Sequence, residues 1–308
     1  MVPLLLAPMA EISHRPLREL IESFGGCDGY FTEMISAAGL LGGGPFEKWY
    51  LDGGPAPERV VYQLMGGDTE QIVRAAALLD ALPSAGIDLN MGCSAPAITR
   101  SGAGVRWMAS LDRAGEMVSR VRAVTRRHLS VKLRAGLTDD FDYLAAFCRR
   151  LEDAGVERIT LHPRTAGEKF RRRARWEYVG RLRAALSIPV AGNGDIATAA
   201  ELAEKADGSR CDAVMTGRAA VKMPWIFAGA KRLPAAYSVN IEETGLRFLD
   251  LLERYQPPEF HRSRARRFFG WFCDNLVWGT YLKNLINRET SLRGMASLWR
   301  AYFRDHAV

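Results

Sequence analysis

The 308-residue sequence lacks what would tie it to a membrane, an oxidising compartment or a structural metal. No apolar run approaches the ~20 residues that a bilayer-spanning helix needs. The start, Met1-Val2-Pro3-Leu4-Leu5-Leu6-Ala7-Pro8, carries no basic leader and only a short apolar run. It is expected to be a first strand, not a signal peptide. The five cysteines, Cys27, Cys93, Cys148, Cys211 and Cys273, stand far apart without a C-x-x-C pair. That spacing argues against a disulfide framework and a cysteine-rich zinc site, and points to a reducing, cytoplasmic setting. The histidines are too scattered to suggest a metal. Low-complexity segments are absent.

Acidic residues are also in deficit: 35 Asp and Glu face 42 Lys and Arg, a formal charge of +7. The basic residues cluster. Between Arg164 and Arg183 lie Lys169, Arg171, Arg172, Arg173, Arg175 and Arg181, against only Glu168 and Glu177. A second cluster, His261-Arg262-Ser263-Arg264-Ala265-Arg266-Arg267, follows nearer the end. A solvated helix face would explain one such run. Two runs, one beside Phe170 and Trp176 and the other beside Phe268, Phe269 and Trp271, favour a nucleic-acid partner.

What is plentiful is short apolar runs. They fall at residues 4–9, 30–35, 60–65, 87–91, 129–133, 159–162, 188–191 and 213–216. Amphipathic stretches separate most of them, at 16–24, 69–82, 111–127, 143–154, 176–186 and 198–205. Eight strands alternating with helices predict an α/β fold, a parallel (β/α)8 TIM barrel. The second crossover is the weak link, because its Gly- and Pro-rich stretch 42–57 is a poor helix. From 241 onward the apolar period turns helical. The expected division is a barrel domain over 1–236 and a small all-helical C-terminal domain over 237–308.

In such barrels the active site gathers at the C-terminal strand ends. Here those ends read Ala7-Pro8-Met9, Thr32-Glu33-Met34, Gln63-Leu64-Met65-Gly66, Asn90-Met91-Gly92-Cys93, Lys132-Leu133-Arg134, His162-Pro163-Arg164-Thr165, Asn193-Gly194-Asp195 and Thr216-Gly217-Arg218. Cys93, on a loop just past a buried strand, is a candidate acid, base or nucleophile, with a packed free cysteine as the alternative. Glycines 194 and 217 allow backbone amides to approach an anion, and Arg218 adds charge. Lys132 is a cation on an otherwise apolar strand. It is expected either in an internal ion pair or beside an electron-rich ring whose edge Gln63 could hydrogen-bond. His162 is a lone histidine, for which a satisfied core position competes.

Taken together these motifs resemble the dihydrouridine synthases, flavoenzymes that reduce uridine in transfer RNA. The resemblance runs in order over about the first 220 residues, and the tail fits the family's helical domain. It implies FMN in the barrel mouth, bordered by Ala7, Pro8 and Met9, with Gln63 and Lys132 at the ring and His162 nearby. The phosphate is implied on Asn193, Gly194, Asp195, Gly217 and Arg218. NADPH is implied as reductant and Cys93 as the acid that protonates C5 while hydride reaches C6. Glu33, Asn90, Arg134 and Arg164 become candidates to hold the uracil and neighbouring phosphates, and Arg171, Arg172 and Arg173 to contact the RNA. A monomer is expected. The chain departs from the family pattern at Ser94, Pro96-Ala97 and Pro163, which bears on the cysteine loop and the RNA contacts. Two other readings stay open: a barrel flavoprotein reducing a small pyrimidine-like substrate, and a non-catalytic RNA-binding homologue.

Overall fold

The computed structural model describes residues 1–54, 56–207 and 210–306. Nine strands occur among them: β1 (Leu4–Leu6), β2 (Gly29–Phe31), β3 (Ile35–Ser36), β4 (Val60–Met65), β5 (Gly86–Met91), β6 (His128–Gly136), β7 (Arg158–Thr165), β8 (Val190–Asn193) and β9 (Ala213–Thr216). Every pairing is parallel. β1 joins both β2 and β9, β2 joins β4, and β4 to β9 pair in succession, so eight strands close into a barrel.

The expected second strand at 30–35 is split. Its ladder ends because the Thr32 hydroxyl, in place of a backbone carbonyl, accepts the Gln63 amide at 3.0 Å. The chain then turns outward before the two-residue β3 rejoins β4. The weak second crossover holds two short helices, Ala37–Gly42 and Glu47–Tyr50, and a 3-10 turn, Pro57–Arg59. Of the 42–57 stretch, Pro55 lies outside the described residues. Three of the other crossovers are full helices with side-chain caps. Asp68, Ser110 and Asp140 each accept an amide from the first turn of Thr69–Asp80, Leu111–Val124 and Phe141–Asp153 respectively.

Period-two alternation sorts the strand residues into two sets. Outward-facing residues such as Leu64, Leu89, Val131 and Leu161 pack under the helices. Inward-facing ones stack in layers. Leu5, Phe31, Val61, Ala191, Ala213 and Met215 form a small apolar plug inside the barrel. Above it lies a polar layer with Gln63, Asp88 and Ser130, and above that the mouth.

Four helices complete the chain: Ile241–Tyr255, Pro258–Phe272, Gly279–Arg288 and Leu292–Asp305. An aromatic cluster holds them together. Phe248 stacks on Phe268 with centroids 3.7 Å apart, and Phe269 meets Trp299 at 4.8 Å. The first of these helices lies against the Arg15–Glu22 crossover helix and shares its buried core. Among the described residues no helix is long and apolar enough to cross a membrane.

Candidate active site at the barrel mouth

The end of β5 is held by one side chain. Asn90 Oδ1 accepts the backbone amides of Gly92, at 3.2 Å, and Cys93, at 2.9 Å. Its Nδ2 donates to Gln63 Oε1 at 2.9 Å, and Gln63 Nε2 donates to Asp88 Oδ2 at 2.7 Å. Ser130 completes the chain by donating to Asp88 Oδ1 at 2.6 Å. The turn that presents the thiol is thus anchored in the barrel's polar layer. From the loop side, the Cys93 carbonyl accepts the Val105 amide at 3.0 Å. Ser94 leads into a short helix, Pro96–Arg100. Cys93 is partly exposed, while the other four cysteines are buried. Burial pushes the thiols of Cys27 and Cys273 up to about 12, which leaves them inert.

Cys93 opens onto a cavity of about 250 Å³. Its walls include Ala7, Pro8 and Met9 after β1, Lys132 and Arg134 of β6, and His162 of β7. Asn193, Gly194, Asp195, Gly217 and Arg218 close the side formed by the last two strands. Lys132 makes no hydrogen bond or ion pair among the described residues. Burial, then the neighbouring Arg134, draws its ammonium down to about 8. His162 Nε2 lies 3.0 Å from Arg164 Nη1. A guanidinium only donates, so that ring nitrogen accepts and the imidazole is neutral. Burial, followed by the cations Lys132, Arg134, Arg164 and Arg218, holds its pKa at about 2.

Two further contacts bind the loops of this mouth together. Asp195 receives Arg164 Nη2 at 2.5 Å and the Ala174 amide at 2.6 Å. The Asp195 backbone sits at a left-handed φ of 50°, and Gly194 before it at 124°. A Cβ at Gly194 would come within 3.1 Å of the His162 ring, so glycine is required there by both backbone and space. Arg134 Nε donates to the Gly92 carbonyl at 2.9 Å and its Nη1 to the Lys169 carbonyl at 3.1 Å, tying the cysteine turn to the basic loop.

Not every expected residue reaches the cavity. Gln63 lies one layer below it, its amide shared between Asp88 and Asn90. Glu33 is 3% exposed and is paired with Arg264 of the tail at 2.9 Å. Its neighbour Met34 lines the wall instead. Arg164, Arg171, Arg172 and Arg173 border an adjacent groove. Phe170, which the sequence marked only as an aromatic within a basic run, faces the mouth with Arg218 4.5 Å from its ring centre. Arg264 also departs from its cluster: it is buried, whereas Arg267 stays outside, 60% exposed, and pairs with Glu11.

An unpaired lysine in a cation-lined mouth, beside a small apolar edge and close-approach glycines, suits a ring that takes on negative charge and carries a phosphate. The fold and site together define a barrel enzyme with its chemistry at the C-terminal strand ends. The comparisons with known proteins agree. A family model described as dihydrouridine synthase (Dus) matches residues 5–288. The tRNA-dihydrouridine(16) synthase of Cupriavidus necator is 34% identical over 232 residues, covering 72% of this chain and 71% of that protein. The tRNA-dihydrouridine synthase B of Xanthomonas campestris pv. campestris is 28% identical over 307 residues, covering 97% and 92%. Solved structures support the fold alone. A 2-naphthoyl-CoA reductase matches with a TM-score of 0.57 at 9% identity over 75% of this chain. The histamine dehydrogenase of Rhizobium sp. 4-9 matches at 0.55 and 12% over 81%. The chain spans about half the length of each of these two structures. The chain belongs to the dihydrouridine synthase family, flavin-dependent oxidoreductases acting on tRNA.

Proposed function

We propose that this chain reduces the C5–C6 bond of particular tRNA uridines with FMN as its flavin and NADPH as reductant. One observation carries the reading. The Cys93 thiol and the unpaired Lys132 ammonium face one cavity at the C-terminal end of a closed parallel barrel. Ala7, Pro8 and Met9 would border the flavin, Lys132 would meet its ring, and His162 would lie beside it as a neutral imidazole. Asn193, Gly194, Asp195, Gly217 and Arg218 would take its phosphate. FMN, when bound, supplies the hydride that reaches C6.

The chain's own residues do the rest. Cys93 Sγ gives its proton to C5, with Asn90 fixing the turn that presents it. Asn90 and Arg134, both on the cavity wall, would orient the uracil. The target base must leave its stack to enter so enclosed a mouth. Arg164, Arg171, Arg172 and Arg173, with the helical domain of 237–308 behind the barrel domain of 1–236, would hold folded RNA through its backbone. Glu33 supports the tail rather than the uracil. Work on tRNA by a monomer in the cytoplasm fits this reading.

A small-substrate reductase would have no use for the helical tail. A non-catalytic homologue would have no use for the anchored thiol. The test is twofold. Purified protein should show an FMN absorbance spectrum, and RNA from cells lacking the gene should lose dihydrouridine at defined tRNA positions. A colourless protein, or an unchanged dihydrouridine map, would overturn the proposal.

A further inference from the structure

Beyond Phe170 and Arg218 the mouth continues into a second, wider cavity of about 770 Å³. Those two residues line both cavities, as do Asp195 and Ile196. The second cavity runs between the barrel's basic loop and the tail. Arg171, Arg172 and Arg173 stand on one side, Trp176 lies deeper, and Lys222 and Trp271 stand opposite. Seven cationic side chains face three carboxylates on its walls. Two of those carboxylates are committed locally. Asp195 holds Arg164 and the Ala174 amide, and Glu201 accepts the amides of Ala197 and Thr198. The side chains of Arg171, Arg172, Arg173 and Lys222, none of them assigned to the flavin, make no hydrogen bond or ion pair among the described residues.

Such a concentration of unpaired cations calls for an anion of high charge density. Guanidinium groups match phosphate oxygens in particular. Planar rings are provided for as well. Lys205 lies 4.4 Å over the Trp176 ring, and Arg218 lies between Phe170, at 4.5 Å, and Trp271, at 5.9 Å. An RNA strand carries one negative charge per nucleotide and spreads it evenly. A pyrophosphate with an added ribose phosphomonoester brings about four charges within a single dinucleotide. The crowded cations suit the second pattern too, so the groove that meets RNA can hold the reductant while RNA is absent.

We propose that this second cavity binds the phosphorylated adenosine half of a nicotinamide dinucleotide while its nicotinamide end enters the barrel mouth past Phe170 and Arg218. The inference rests on the reading that such a dinucleotide reduces the flavin. It adds the place where the reductant is held and the groups that select its 2′-phosphate.

The experiment uses the full-length, flavin-loaded protein and adenosine 2′,5′-bisphosphate as probe, titrated by calorimetry without RNA. The exposed triple variant Arg171→Ser/Arg172→Ser/Arg173→Ser should bind the probe about tenfold or more weakly, as expected for lost charge-assisted contacts. Lys222→Ser, on the opposite wall, should weaken it by roughly threefold through the same loss. In RNA-free flavin bleaching, the triple variant should raise the KM for the 2′-phosphorylated dinucleotide and leave that for the unphosphorylated one nearly unchanged. Unaltered probe binding in both variants, with weakened RNA binding in the triple variant, would make the groove an RNA surface alone and overturn the proposal. Failure of the underlying reading shows separately, as a flavin that neither dinucleotide bleaches, and that result overturns the proposal too.

Discussion

Glu33 Oε2 lies 2.9 Å from the Arg264 guanidinium, with the two side chains 3% and 1% exposed. The pair joins the strand-end segment beside Met34 to a helix of the tail. Its surroundings complete it. The Glu11 amide donates to Glu33 Oε1 at 2.7 Å, and the Gln256 side chain accepts from Arg264. Removing one partner from a buried pair leaves an uncompensated charge and typically costs about 3–5 kcal/mol. Arg264→Met should therefore destabilise the protein by that order, read as a lower midpoint in urea. Glu33→Leu/Arg264→Met together should recover most of the loss. If the single variant unfolds like the wild type, the pair is not what docks the tail.

Lys132 gives a prediction whose two halves have opposite signs. Its ammonium is drawn down to about 8, chiefly by burial and then by Arg134, so at pH 7 it is charged at a cost to folding. Lys132→Met should stabilise flavin-stripped protein by about 1–3 kcal/mol. The same change should weaken flavin binding by about tenfold or more, since the charge facing the anionic ring is lost. Urea midpoints and flavin fluorescence titrations read the two effects independently. A variant that loses stability and keeps its flavin would show that Lys132 serves the fold alone.

Much of this architecture was legible in the chain. Runs such as 60–65 and 213–216 are mostly apolar on both faces, as buried parallel strands are, and they coincide with β4 and β9. The strand-end motifs converge because a closed parallel barrel brings every strand's C-terminal end to one rim. Three features were not legible, for a common reason. The break after β2 depends on a Thr32 hydroxyl meeting Gln63 from another strand. The depth of Gln63 depends on barrel stagger. The burial of Arg264 depends on Glu33, far away in sequence. Local pattern carries periodicity and charge, whereas these contacts exist only once distant segments are assembled. Phe170 was the exception that could have been found, as the lone aromatic among six basic residues between Arg164 and Arg175.

His162 predicts a pH dependence. Its folded pKa of about 2 lies below the ordinary 6.5, because burial and four cations oppose protonation. Between those values the unfolded chain binds a proton that the native state does not. Its contribution to stability is therefore present above pH 6.5 and is lost as pH falls toward 2. His162→Gln should flatten this dependence, losing about 2 kcal/mol less than the wild type between pH 7 and pH 5. His14, also buried and depressed, keeps part of the slope in both proteins. Urea unfolding of flavin-stripped protein at the two pH values tests it. Parallel slopes would mean that His162 is protonated in the native state.

The last prediction concerns the thiol and the side chain that presents it. Cys93→Ala removes the proton donor but none of the bonds that form its turn, since those use the backbone amides of Gly92 and Cys93. It should keep flavin and RNA binding and lose about 10²–10⁴-fold in single-turnover rate, the usual worth of a positioned general acid. Asn90→Ala should leave the thiol in place yet free its turn, slowing turnover while changing the rate at which iodoacetamide alkylates Cys93. In Cys93→Ala itself, a near-normal rate across pH would mean that another group, or water, delivers the proton to C5.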